Sequence, residues 1–427
     1  MKNLFTLSLS TWLLTSVPNI AFAEPALDKG DTAWLLVSTA LVLFMTLPGL
    51  ALFYGGLVRK ENVLSILIQC FVIACVASVV WFVYGYSLAF KGSGAWIGNF
   101  DALFLKHLTR DSINGTIPET VWIMFQMTFA IITPALVIGA FAERIKFSAV
   151  ILFTVLWLTL VYIPVAHWVW GGGWLQELGV LDYAGGLVVH LTCGIGALVS
   201  ALMIGNRKSY PDTAPPHNRT MVFTGAAMLW VGWFGFNAGS AVSANQDAGM
   251  AMLVTHLSAS VGALTWLAID WMRSGKPTII GIATGMVAGL ATITPASGFV
   301  GPAGSIIIGL FAGFVCYFAT DLIKNKWQID DSLDVFPVHG IGGVLGSILV
   351  GWLMTVEWGG VGLNKGQTVT SQLWIQLQAI GAIFLWTLVF TFIVLKVMSF
   401  TTGLRIDDEG EDQGLDVATH DESGYLL

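Results

Sequence analysis

The chain has 427 residues, of which 56% are hydrophobic and only 11% charged, with a mean hydropathy of +0.77. A soluble domain carries about a quarter charged residues, so these values exclude a soluble enzyme or binding module and indicate a polytopic membrane protein with little else. The formal net charge of −7 at pH 7 arises from an acidic terminal run and from loops, and gives no support to a nucleic-acid partner.

Residues 1–23 carry Lys2, an apolar core around Leu4–Leu14, and Ala21-Phe22-Ala23 ahead of Glu24. That order reads as a secretory signal peptide with its cleavage site, so 1–23 is expected to be removed. The segment 24–398 reads as one membrane domain, and 399–427 as a tail. Apolar runs near the roughly 20 residues needed to cross about 30 Å of hydrocarbon can then be counted. They fall near 32–58, 63–90, 119–141, 148–170, 185–205, 219–240, 248–273, 278–297, 302–323, 337–355 and 371–398. The predicted fold is therefore an all-α polytopic membrane protein with eleven transmembrane helices. The 48 glycines suit helices that approach closely.

Basic residues fall in alternate loops. Arg59 and Lys60 separate spans one and two, Arg144 and Lys146 spans three and four, and Arg207, Lys208 and Arg219 spans five and six. Arg273 and Lys276 lie between seven and eight, and Lys324 and Lys326 between nine and ten. The other side holds Lys29, Lys91, Lys106, Arg110 and Lys365. The positive-inside rule places the mature N-terminus outside, in the periplasm, and the tail in the cytoplasm. An odd span count after a cleaved signal gives the same orientation.

Three short features recur in the same order in repeat one (about 32–205) and repeat two (about 219–355). The first holds ALFYGG (51–56), ITPA (132–135) and HLTCGIGALVSALMIG from His190; the second holds FGFNAG (234–239), ITPA (293–296) and HGIGGVLGSILVGWL from His339. Five spans per half invert the second relative to the first, leaving helix eleven (about 371–398) unpaired. Such 5+5 inverted pseudosymmetry places binding sites at the repeat interface near the midplane. Pro134 and Pro295 are read as broken helix ends lining a cavity. Cys70, Cys75, Cys193 and Cys316 lie in apolar runs without metal-ligand spacing, so no disulfide, metal or other cofactor is expected.

Ionisable groups inside hydrocarbon mark function by default. Burial favours neutral imidazoles, so a hydrogen-bonded His190–His339 pair would offer a donor and an acceptor to a small polar molecule, or relay a proton. Bis-His ligation of haem is a competing reading. Asp182, eight residues before His190, reads as a helix N-cap that also orders the site. Phe125, Phe129, Trp170, Trp233, Phe236 and Ser240 fall at the outer level, where aromatic faces can attract a small cation.

Several motifs make the chain resemble a bacterial ammonium transporter of the Amt/Mep/Rh family, and it closely resembles the proteobacterial AmtB type. They are PGLALFYGGLVR, MFQMTFAIITPALVIGAFAERIKFSAV, HWVWGGGWL, DYAGGLVVH, GWFGFNAGSA, TPASG, DDSLDVFPVHGIGG and GLDVATHDESGY, spread from about residue 27 onward. The resemblance implies that Phe125, Trp170 and Ser240 recruit ammonium, that Phe129 and Phe236 form a gate, and that His190 and His339 line the pore. It implies a supporting role for Asp182, a homotrimer in the lipid bilayer of the cell inner membrane, and transport rather than enzymatic activity. Cys193 and Leu333 depart from the family pattern and are expected to lie clear of these sites.

The tail carries Asp407, Asp408, Glu409, Glu411, Asp412, Asp416, Asp421 and Glu422. Such a run is ordinarily solvated, but the resemblance implies docking on the inner face and a PII-type signalling partner. Competing readings are a passive ammonia channel, an ammonium sensor with a vestigial pore, and a haem-bearing electron carrier. The roughly 28 residues after the last span are too few for a sensor's output domain.

Overall fold

The computed structural model describes residues 27–425; the signal-peptide assignment to 1–23 falls outside them. Among the described residues, ten helices are long and apolar enough to cross a membrane, and an eleventh is apolar but shorter. They run α1 (Lys29–Leu57), α2 (Lys60–Phe90), α3 (Glu119–Ala140), α4 (Phe147–Leu178), α5 (Gly186–Ile204), α6 (Arg219–Ala241), α7 (Gln246–Ser274), α8 (Ile279–Ile293), α9 (Pro302–Lys326), α10 (Phe336–Leu353) and α11 (Val369–Phe400). Helices dominate because hydrocarbon offers no partner to a free backbone N–H or C=O. Exposed Leu264, Trp271, Leu385 and Phe400 form part of the surface that lipid would cover.

The two prolines of the repeated ITPA behave differently. Helix α8 ends at Ile293, short of the expected 297; Thr294 still has helical φ/ψ, and Pro295 after it has no N–H to carry the hydrogen-bond ladder on. Pro134 lies buried within the helical run Glu119–Val137, so the reading of it as a broken helix end is corrected. One missing N–H is tolerated there, and Thr133 Oγ1 donates to the Phe129 carbonyl at 2.6 Å.

The packing carries the repeat. Helix α1 lies on α3, α2 on α3 and α4, and α3 on α5; the same pairs recur as α6 on α8, α7 on α8 and α9, and α8 on α10. Helices α1 and α6 meet each other, as do α5 and α10, and α11 lies against α4, α5 and α10. Widened π-helical turns also recur in pairs: Met45–Leu50 with Phe234–Ala238, Leu158–Tyr162 with Leu322–Lys326, and Gly186–Leu191 with Phe336–Ile341. Such turns are common at functional sites, and the last pair contains His190 and His339.

The tail is docked. Of its helices α12 (Asp408–Gln413) and α13 (Leu415–His420), α13 lies at the start of α2 and α12 packs on α13. The Asp416 carboxylate accepts from the Leu64 and Ser65 backbone N–H at 3.0 and 2.7 Å, and Glu411 pairs with Arg405 at 2.6 Å. Arg59 Nη2 donates to the Glu411 carbonyl at 2.7 Å, and Ile406 N–H donates to the Arg144 carbonyl at 3.1 Å. The tail thus touches the basic loops rather than hanging free.

Candidate functional site

Helices α5 and α10 cross at Gly194 and Gly340, where a Cβ on Gly194 would collide with the Gly340 backbone. Small residues permit this approach. It brings His190, one turn before Gly194, against His339, next to Gly340. The two Nδ1 atoms stand 3.2 Å apart, the ring centroids 5.1 Å, and both residues are buried. Two neutral imidazoles that share an Nδ1–Nδ1 hydrogen bond must be opposite tautomers. One Nε2 is then an acceptor and the other a donor. His190 Nε2 has no partner.

Aromatic rings continue the line away from the pair. His190 stacks on Phe236 at 6.0 Å and on Trp233 at 5.5 Å, and Phe236 stacks on Phe129 at 4.4 Å. Phe129 meets Phe125 edge-on at 5.0 Å and Trp170 edge-on at 5.8 Å. Ser240 Oγ donates to the Phe236 carbonyl at 2.8 Å, which leaves its oxygen free as an acceptor. Gly239 beside it packs so tightly that a Cβ would lie 3.1 Å from the Phe125 ring. The structure therefore groups Phe125, Phe129, Trp170, Phe236 and the Ser240 turn at one end of the histidine line.

Asp182 is a full cap. Its Oδ1 accepts from Gly185 and Gly186 N–H at 3.0 and 2.6 Å, and its Oδ2 from Leu187 and Val188 at 2.9 and 3.0 Å. Trp170 Nε1–H donates to the Asp182 carbonyl at 2.9 Å, which ties the outer aromatic to the start of α5. Burial pushes the Asp182 carboxyl up to about 6, while the four N–H donors favour its charge.

The counterpart, Asp331, was missed in the sequence although the repeat signals it: it too stands eight residues before its histidine. Its Oδ2 accepts from Phe336 N–H at 2.7 Å, and its Oδ1 has no partner. Burial, and then the nearby Asp334, push it up to about 7. Each capping loop is also clamped one residue earlier. Gln376 Nε2 donates to the Leu181 carbonyl and its Oε1 accepts from Leu181 N–H, both at 2.8 Å. Buried Arg144 donates to the Asp330 carbonyl at 2.7 Å and to Ser332 Oγ at 2.6 Å. The carboxyl groups of Glu143 and Asp330 are raised by burial, but Arg207 between them more than offsets this and holds both below their usual values.

His339 borders two cavities. On the Phe236 side, a chamber of about 10 Å³ is lined by Ile132, Val189, His190, Trp233 and Phe236, among others. That is at the lower limit for a single water molecule. On the tail side, a vestibule of about 360 Å³ is lined by Tyr54, Arg207, Tyr210, Lys324, Leu333 and Asp334 with His339. The expectation that Cys193 and Leu333 lie clear of the site is corrected: Leu333 lines the vestibule, and Cys193 Sγ lies within 4.8 Å of one nitrogen of each histidine. Position 193 follows His190 by three residues and so shares its helix face.

Residues 33–425 match the profile of the Ammonium Transporter Family. The chain is 45% identical to an ammonium transporter of Aquifex aeolicus over 420 residues, covering 97% of this chain and 98% of that one. It is 44% identical to the ammonium transporter of Bacillus subtilis over 404 residues, with 93% and 99% covered. Among solved structures it resembles Saccharomyces cerevisiae Mep2 (37% identity, TM-score 0.81, 90% and 88% covered). It also resembles a chain named "Sensor Amt Protein" (30% identity, TM-score 0.86, 92% and 98% covered). With a family match across nearly its whole length and relatives this similar, the chain belongs to the ammonium transporter family.

Proposed function

We propose that the protein takes up ammonium electrogenically by separating it into ammonia and a proton at the Phe129–Phe236 gate. The observation that carries this reading is the unbroken line Trp170–Phe129–Phe236–His190–His339, with an unpartnered His190 Nε2 at its core. At the outer end, the Trp170 and Phe125 rings and the Ser240 oxygen replace part of the water around the cation. Ring faces supply only about 0.5–2 kcal/mol each. Carrying an unpaired charge onward costs far more, so the proton must leave before the chamber, which has room for one small neutral molecule.

Ammonia then passes the histidines by exchanging hydrogen bonds with one acceptor and one donor Nε2. A proton arriving at one Nε2 can leave from the other after the shared Nδ1 proton shifts across the 3.2 Å contact. Asp182 supports the site rather than relaying, because both its oxygens already serve the α5 cap. The test is ammonium-driven current in proteoliposomes, compared with a variant in which both histidines are Ala. A passive ammonia channel gives flux without current.

The tail contacts the loops bearing Arg59, Arg144 and Lys208. That basic side faces the cytoplasm of the cell inner membrane by the positive-inside rule, with the mature N-terminus periplasmic. We place a PII-type signalling protein at this face and tail, and three copies in the working assembly. Deleting 407–427 should abolish co-purification with PII, and retained binding would contradict a tail-dependent dock. A second reading, an ammonium sensor with a vestigial pore, is favoured by likeness to the chain named "Sensor Amt Protein" and predicts binding without flux.

A further inference from the structure

We propose that His190, His339 and Cys193 form a three-ligand site for a soft monovalent cation, silver(I) or copper(I), and that its capture closes the pore. The three side chains are buried, and one donor atom from each lies within 4.8 Å of the other two. Two nitrogens held from one ion at the roughly 2.0–2.1 Å of a zinc–imidazole bond stand about 3.3 Å apart at the tetrahedral angle and about 3.6 Å at the trigonal angle of a three-ligand site, and longer bonds to silver widen this further. The Nδ1 atoms already stand at 3.2 Å. Cys193 Sγ now donates to the His190 carbonyl at 3.4 Å, a weak bond that a metal–sulfur bond can replace.

The charge count selects the ion. Binding expels the thiol proton. The shared Nδ1 proton moves to the Nε2 of its own ring, which leaves both Nδ1 lone pairs for the metal. One cation enters and one proton leaves, so a monovalent ion gives a neutral complex in an apolar site. A divalent ion would leave a buried positive charge, which is costly without a partner. Thiolate with imidazole favours soft ions over sodium, potassium or magnesium. His339 lines the 360 Å³ vestibule, which supplies a watered approach and a path for the released proton. Pore closure rests on the transport reading above, whereas binding does not.

The test uses silver nitrate in chloride-free buffer on the full chain, in a C75S background that removes the exposed thiol. Elemental analysis after desalting should find one silver more per chain in C75S than in C75S/C193A. In proteoliposomes, half-inhibition of ammonium current, with each variant scaled to its own untreated current, should need at least tenfold more silver in C75S/C193A than in C75S. Should C193A fail to fold, C193S keeps the size and replaces the soft ligand with a hydroxyl. Silver retention in C75S/H190A/H339A should fall at least tenfold in affinity. Equal retention with and without the Cys193 thiol would overturn the site. Retained silver with unimpeded current would overturn closure alone.

Discussion

Asp182 and Asp331 stand at the same offset before His190 and His339 and cap the widened turns that carry the two histidines, one from each inverted half. The caps are unequal. Asp182 takes four N–H donors, whereas Asp331 keeps one oxygen unpaired beside Asp334. Two chemically matched positions thus sit in opposite halves with different electrostatics.

Asp182→Ala strands four buried N–H groups, each worth about 1–3 kcal/mol when left unpaired. Thermal unfolding in detergent should show a destabilisation of several kcal/mol, with transport lost. Asp182→Asn keeps one acceptor oxygen and should fall between the two. An Ala variant as stable as the parent would contradict the capping role.

Asp331 gives a pH dependence with a definite sign. Its carboxyl lies near 7 in the folded chain against an ordinary 3.8. The folded state therefore binds the extra proton, and this contribution is complete below about pH 4 and lost as pH rises through about 7. Relative to Asp331→Asn, the parent should lose stability, on the order of a few kcal/mol, between those limits. Parallel melting curves for the two proteins across that window would reject it.

Gln376 on α11 holds Leu181 by both backbone groups, and Leu181 precedes the residue that anchors Trp170. Gln376→Leu removes these two bonds together with those to the Ser347 carbonyl and from Gln372 Nε2, and should raise the half-saturating ammonium concentration at least several-fold, about 1 kcal/mol for each lost hydrogen bond, with the maximal rate nearly unchanged. A fall in maximal rate at constant half-saturation would place the clamp elsewhere in the cycle.

The Gly194–Gly340 crossing sets the histidine separation. Gly194→Ala inserts a methyl group against the Gly340 backbone and should spread α5 from α10, at a cost of about 1–3 kcal/mol for overpacking. Ammonium current should drop at least tenfold while outer-site binding, read by Trp170 fluorescence, persists. Normal current in this variant would show that the 3.2 Å contact is dispensable.

Much of this arrangement was legible in the chain itself. Hydrophobic runs located the helices because each must cross the same thickness, and an ionisable residue in such a run announced His190 and His339. The ITPA and late-span histidine recurrences exposed the repeat. Other features were hidden because they depend on contacts between distant segments. Gln376 reaches Leu181 across 195 residues, and Arg144 reaches Asp330 across 186. Nothing in either neighbourhood marks it as a clamp. Cys193 looked like a packing residue until α10 brought His339 beside it. Asp331 was readable, since the offset that singled out Asp182 applies unchanged to His339. Pro134 shows the reverse. Identical tetrapeptides end one helix and continue inside another, because Leu136 and Val137 prolong the first whereas Ser297 and Gly298 do not prolong the second.

In the proposed mechanism, His190 and His339 carry the proton released when ammonium is split. Current should be recorded after an ammonium pulse to proteoliposomes of the parent and of H190A/H339A, with protein content matched. The double variant is predicted to lose the ammonium-evoked current by at least tenfold; undiminished current without the imidazoles would contradict it.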